Sequence, residues 1–210
     1  MDMNRIFDPE NPFWMFMSKI ADVLCISLLW LLFSIPVVTI GASTTALFQF
    51  TLKQSANEEG YVWHTFFNAF KKNFKQATII WIPALLLGIL LIVEAYVCLA
   101  VGTPFSNMLF FAFMLLGIIY ILILMWVFPI IALFEVSTKK AVGNAFVMAV
   151  GNLHVSITIA VIAAALIWVF RHVPILSVFG RGFFAFFSSY FFRSVFRRYM
   201  DAEENGSKEQ

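Results

Sequence analysis

The 210-residue chain predicts an all-α fold, a polytopic membrane helical bundle of five transmembrane helices with two cytosolic interfacial amphipathic segments. Three observations predict it. Five apolar runs, at residues 20–40, 77–101, 109–134, 153–170 and 173–196, are each long enough to approach or cross a hydrocarbon layer. A helix rises 1.5 Å per residue, so about 20 apolar residues cross about 30 Å. The composition is 61% hydrophobic and 12% charged, against roughly 45–50% and about 25% in soluble domains. Finally, nearly all lysines and arginines lie outside the runs, in their connections or flanks, rather than inside them.

The first 18 residues read as a leader, in which Pro9 and Pro12 forbid a continuous helix and Phe13, Trp14 and Phe16 suit a lipid–water interface. It does not read as a cleaved signal peptide, because it is acidic and proline-broken before the first run. Asp22 is the only charge within run 20–40, which carries Pro36 near its end. Ser43, Thr44 and Thr45 can cap a helix over about 44–54, and Asn57-Glu58-Glu59-Gly60 is a turn. Over 61–76 the apolar residues Trp63, Phe66, Phe67, Phe70 and Phe74 recur at helical spacing, with Asn68, Lys71, Lys72 and Lys75 opposite. That pattern predicts an amphipathic helix lying on the membrane.

Run 77–101 contains one charge, Glu94, and run 109–134 none. The stretch 135–152 repeats the amphipathic design, with Val142, Ala145, Phe146, Ala149 and Val150 on one face and Lys139, Lys140, Asn144 and Asn152 elsewhere. Asn-Ala-Phe occurs in both amphipathic stretches, at 68–70 and 144–146, and a proline breaks the span before each, Pro36 and Pro129. This is a weak internal repeat of uneven spacing. Gly180-Arg181-Gly182 is expected to break the start of the fifth run, whose aromatic residues 183–192 face lipid, and residues 201–210 form a disordered polar tail.

Ten basic residues fall on one side of this topology (Lys53, Lys71, Lys72, Lys75, Lys139, Lys140, Arg193, Arg197, Arg198 and Lys208), and four (Arg5, Lys19, Arg171 and Arg181) on or toward the other. The positive-inside rule then puts the N-terminus outside and the C-terminus in the cytoplasm, with Lys71, Lys72, Lys75, Arg197 and Arg198 as interfacial anchors.

The chain lacks a phosphate-binding glycine loop, a His-Glu-x-x-His pair and a Gly-x-Ser-x-Gly elbow. His64, His154 and His172 are scattered, and Cys25 and Cys98 lie in apolar runs as small fillers. The expectation is a protein that is no enzyme, holds no cofactor or metal and binds no nucleic acid, with the lipid bilayer as its first partner. Charges at membrane depth are the remaining candidates for function. Asp22, Glu94, Arg171, His172 and Arg181 are candidates for one outer polar site, with Glu94 and Arg181 as a pair that satisfies itself without chemistry.

The stretch Leu28-Leu29-Trp30-Leu31-Leu32-Phe33-Ser34-Ile35-Pro36-Val37-Val38-Thr39-Ile40-Gly41 resembles the YesL family of bacterial integral membrane proteins. The resemblance continues through Glu58-Glu59-Gly60-Tyr61 and Ala69-Phe70-Lys71-Lys72-Asn73-Phe74-Lys75-Gln76-Ala77-Thr78. It returns at Gly143-Asn144-Ala145-Phe146 and Phe191-Phe192-Arg193-Ser194-Val195-Phe196-Arg197-Arg198-Tyr199. It implies a multi-pass protein of a bacterial cytoplasmic membrane, encoded in Bacillus-like bacteria beside sugar ABC importers and polysaccharide-degrading enzymes, with no catalytic residues to carry over. The expected function is that of a non-enzymatic accessory in carbohydrate uptake or utilisation, in contact with a sugar ABC importer. The alternative is a small transporter or channel, which at this size would work as a homo-oligomer.

Overall fold

Three antiparallel helix pairs organise the chain. The computed structural model describes residues 12–58, 60–173 and 176–208, and among these it contains seven α-helices and one short 3₁₀ turn, with no strand. The helices are α1 (Pro12–Phe33), α2 (Ile40–Ser55), α3 (Val62–Val101), α4 (Pro104–Leu133), α5 (Thr138–Gly151), α6 (Leu153–His172) and α7 (Ser177–Lys208). The expectations for Arg5, Pro9 and the rest of residues 1–11 lie outside the described residues.

The first pair is α1 and α2. Lys19 Nζ donates to Asn57 Oδ1 at 2.8 Å, Gln54 Nε2 to Asp22 Oδ2 at 3.3 Å, and Trp30 Nε1 to Thr44 Oγ1 at 3.1 Å, so the two helices run in opposite directions. The connection is made where Pro36 cannot donate a backbone hydrogen bond. A 3₁₀ turn, Val37–Thr39, follows. This differs from an apolar span over 20–40. The helix starts earlier, through Phe13–Met17, and ends at Phe33, because hydropathy alone does not register a proline break.

The second pair is α3 and α4. The turn between them has Gly102 at φ 65, the left-handed conformation that glycine adopts without a Cβ penalty. Thr103 then caps α4 by accepting from Ser106 N, and Pro104 takes the first helical position. Along the pair, Lys72 meets Glu135, Gln76 Nε2 donates to Val136 O at 2.7 Å, and Tyr120 Oη donates to Ala84 O at 2.8 Å. The third pair is α6 and α7, closed by Phe170 against Gly180 at one end and Asn152 beside Tyr199 at the other.

α2 is the centre of the molecule. It packs against α1, α3, α4 and α7 and is buried along nearly its whole length. Its hydroxyls are satisfied locally and across helices: Thr45 Oγ1 bonds Gly41 O, and Thr51 Oγ1 lies 2.7 Å from Ser189 Oγ. Gly41 permits the contact with α3, since a Cβ there would sit 2.6 Å from Trp81 Cβ. Most of residues 44–54 are therefore core rather than an exposed connection, with Lys53 the exposed exception.

The amphipathic helix expected over 61–76 is not a separate interfacial element. It is the first part of α3, a single helix of 40 residues, about 60 Å long. The middle of its apolar stripe, Phe66, Phe67 and Phe70, packs against protein, while Trp63 and Phe74 stay exposed. Phe66 is fully buried, and the ring of Phe33 lies 5.6 Å from Phe66, 5.0 Å from Phe67 and 5.3 Å from Phe70. The second expected stretch is α5, whose buried face is Ala141, Ala145, Met148 and Ala149. Val142, Phe146 and Val150 remain exposed on its other side.

Among the described residues, four helices are long and apolar enough to cross a membrane: Phe13–Phe33, Val62–Val101, Pro104–Leu133 and Leu153–His172. The expected fifth, over 173–196, is not among these four, because Arg181, Arg193 and a set of serines dilute α7. The glycines at 180 and 182 do not break α7. They let it approach α1 and α6: a Cβ on Gly182 would lie 1.9 Å from Ser27 Oγ, and one on Gly180 2.3 Å from Phe170. Within residues 183–192, Phe192 turns to the core against Trp126, while Phe187 and Tyr190 are exposed. α7 continues as helix to Lys208, where a disordered tail was expected from residue 201.

Trp81 Nε1 donates to Val37 O, so the α1–α2 turn reaches α3 only at residue 81. The rest of α3 and the facing part of α4 run about 30 Å further. Their most apolar 18-residue windows are 6% and 0% buried within the protein.

Candidate functional site

The five charges proposed for one outer site do not meet. Asp22 is on α1, where it accepts from Gln54. Arg181 is on α7, with its guanidinium carbon 5.1 Å from the centre of the Trp30 ring, a cation–π contact. Glu94 is half-buried on the far part of α3, and no ion pair joins it to Arg181 among the described residues. Arg171 and His172 end α6, where the His172 ring lies 4.6 Å from the Trp168 ring and its Nδ1 lies 2.9 Å from Trp168 O. Asp22 and Arg181 thus flank the α1–α7 contact on separate partners, and the other three stand apart.

The anchors also divide. Lys71, Lys75, Arg197 and Arg198 are exposed, whereas Lys72 is paired with Glu135. The hydrogen bond from Lys72, and then its charge, hold the Glu135 carboxyl below the usual glutamate range.

The polar groups that do converge lie where α1 meets the turn between α2 and α3. A cleft of about 790 Å³ is lined there by Trp14, Lys19, Asp22, Gln54, Asn57, Glu58 and Tyr61, among others. Three features shape it. Asn57 has φ 55, a left-handed conformation that asparagine tolerates better than most residues, and it ends the α2 turn with its side chain against Lys19. Gln54 projects from the last turn of α2, 7% exposed, and gives its amide to Asp22. Its carbonyl oxygen, Oε1, is buried with no partner. Such an orphan acceptor is unusual, because buried polar atoms are nearly always satisfied. A second, smaller polar cleft, about 330 Å³, lies between α3 and the end of α4, beside Gln49, Lys72, Asn73, Gln76 and Glu135.

Of the first cleft, sequence reasoning singled out Asp22 for a site and missed Gln54, Asn57 and Tyr61. A signal was present: Gln49, Lys53, Gln54 and Asn57 recur at helical spacing on a segment too polar to be a span.

The contact of Lys19 with Asn57 corrects the topology. Lys19 was expected on or toward the outer side and the 41–76 connection on the inner. Residues 2.8 Å apart cannot lie on opposite faces of a layer about 30 Å thick. Lys19 therefore joins the basic end of the molecule, with Lys53, Lys71, Lys72 and Lys75.

Among the described residues, no group of three or more His, Cys, Asp or Glu could hold a metal ion. Comparison with known proteins finds similarity to sequences of unknown function. Residues 23–95 match a family described as "Protein of unknown function, DUF624". The chain is 26% identical over 196 residues to the uncharacterized protein YteU of Bacillus subtilis (strain 168), a match that covers 88% of this chain and 83% of that protein. No solved structure matches. Among the described residues the chain is thus all-α, with several helices long and apolar enough to cross a membrane, and it is similar over 23–95 to a family of unknown function.

Proposed function

We propose that this chain is a non-enzymatic accessory protein of the bacterial cytoplasmic membrane that serves carbohydrate uptake or utilisation through contact with a sugar ABC importer. The resemblance to the YesL family and the match to DUF624 describe one kinship in this reading. The observation that supports it most is the uncovered apolar pair formed by the far parts of α3 and α4. Leu86, Ile92, Tyr96, Phe111 and Leu115 are exposed there, a surface stable only against lipid or another membrane protein.

In this arrangement the three helix pairs enter from the basic end and turn at the other. α7 is the descending leg of the third pair and acts as a span despite Arg181 and Arg193. α2, about 24 Å long, is the short return leg of α1. The basic end faces the cytoplasm, and both the start of α1 and the C-terminus lie on that side.

The test is co-purification in mild detergent from the native host, alongside sugar uptake in a deletion strain. Recovery of an importer subunit with reduced uptake is the expected result. Recovery of the protein alone with unchanged uptake refutes the reading. A second reading, a small oligomeric transporter or channel, is favoured by the polar cleft beside the end of α2. It requires solute flux in reconstituted liposomes that falls in Asp22→Asn.

A further inference from the structure

The unpartnered Gln54 carbonyl identifies what the cleft lacks. Gln54 is 7% exposed, and its Nε2 is committed to Asp22 Oδ2 at 3.3 Å, which fixes the amide and leaves Oε1 as a buried acceptor without a partner at the wall of the cleft. The missing group is therefore a hydrogen-bond donor. The charged side chains around it are of both signs. Lys19 stands against a cation, and Asp22 and Glu58 against an anion. A neutral group that donates and accepts at adjacent atoms suits all of them, donating to Gln54 Oε1 and Asp22 while accepting from Lys19. Beside Ser18 and Asn57, the remaining lining is largely aromatic and apolar, with Trp14, Phe50, Tyr61 and Val62. Ring faces beside a few placed polar groups suit a ligand with an apolar C–H face and hydroxyls at its edge. At about 790 Å³ the cleft has room for more than one sugar ring.

We propose that the cleft between the N-terminal half of α1 and the α2–α3 turn binds a polyhydroxylated ligand, with Gln54 Oε1 and the Asp22 carboxylate accepting from its hydroxyls. Two sources supply that chemistry, a free oligosaccharide and the sugar or glycerol headgroup of a lipid. The inference deepens the accessory role proposed above and rests on it.

The experiment uses the full chain in phosphatidylcholine nanodiscs. One arm titrates maltotriose, cellotriose and xylotriose by calorimetry. The other compares retention of digalactosyl diacylglycerol and phosphatidylglycerol with that of phosphatidylcholine. Saturable binding is expected in one arm, which names the source. Gln54→Met should weaken it about tenfold or more, because a hydroxyl loses its acceptor. Trp14→Ala should weaken it severalfold. Trp14 is 41% exposed, so its replacement keeps the test open should Gln54→Met fail to fold.

No binding in either arm by the folded wild-type protein overturns the proposal, as does binding that both variants retain in full. Tighter binding of spermidine or inorganic phosphate than of any saccharide or glycolipid overturns the ligand class. The same variants are returned to the deletion strain. If wild type restores uptake and binds nothing, only the site is wrong. If deletion leaves uptake unchanged, the accessory role is wrong whatever the cleft binds.

Discussion

Lys19 Nζ lies 2.8 Å from Asn57 Oδ1, and this one hydrogen bond ties the N-terminal half of α1 to the turn that ends α2. It fixes the sidedness of the first helix pair. In a background with Cys25 and Cys98 replaced, Ser18→Cys, Asn57→Cys and Lys139→Cys should behave alike toward an impermeant thiol reagent, all shielded in intact cells. Asn107→Cys, near the turn between α3 and α4, should be labelled. Different labelling at positions 18 and 57 would contradict the pairing of α1 with α2.

The aromatic stripe of α3 should matter more than its lysines. Phe66 is fully buried, and its ring lies 5.6 Å from that of Phe33. Truncating a core phenylalanine to alanine costs about 3–5 kcal/mol. Phe66→Ala should lose that much in a reversible detergent unfolding titration. Lys71 is exposed, and Lys71→Gln should stay within about 0.5 kcal/mol of wild type. Phe70→Glu should lower folded yield more than Lys71→Gln and Lys72→Gln combined, because it sets a charge beside Phe33. A more harmful double lysine change would show that the basic face binds something essential.

Gly182 is where α7 touches α1, so close that a Cβ on it would meet Ser27 Oγ at 1.9 Å and Val23 O at 2.8 Å. Gly182→Ala should destabilise by about 1–3 kcal/mol, the usual range for overpacking. Ser27→Gly should recover part of that loss in the double variant, since one of the two obstacles is removed. Thermal unfolding of the four proteins measures the coupling. Strict additivity would mean that the helices simply move apart.

The Lys72–Glu135 pair predicts a small pH dependence. Both side chains are exposed. The hydrogen bond and charge of Lys72 lower the Glu135 pKa in the folded state. A lowered carboxyl pKa means that the folded protein binds fewer protons than the unfolded chain. Its stabilisation is fully present above the ordinary glutamate value, about 4.3, and is lost as pH falls through the folded value. Wild type should melt slightly above Glu135→Gln at pH 7. The gap should close on acidification below about pH 4, and also in 1 M salt, where the screening length is about 3 Å. A gap that survives both would show that Glu135 acts through something other than this pair.

Much of the architecture was legible in the apolar runs. Those at 77–101, 109–134 and 153–170 each fall within or almost within one helix, because long uninterrupted hydrophobicity has few other solutions in a membrane. α2 was not legible. Ser43, Thr44, Thr45, Gln49, Thr51 and Gln54 give it the composition of a surface connection, yet most of it is buried. The partners that make burial tolerable are distant in the chain: Ser189 for Thr51, Trp30 for Thr44 and Asn73 for Gln49. The cleft was half legible for the same reason. Asp22 stands out as a charge in an apolar run, but Gln54 becomes notable only once its carbonyl is seen to be buried without a partner. Arg181 drew attention as a charge with Glu94 as its natural partner; the structure gives it the Trp30 ring instead.

The contact between Thr51 and Ser189 also sets a schedule for biogenesis. A ribosome adds about 5–20 residues each second, so roughly 7–28 s separate the synthesis of these two residues. Throughout that interval α2, too polar to partition into lipid alone, has no α7 to lie against. Until then it can pack only against α1, α3 and α4, and the side that carries Thr51 stays uncovered. A nascent chain halted before Ser177 would then hold its central helix with one polar face bare, a ready target for membrane proteases.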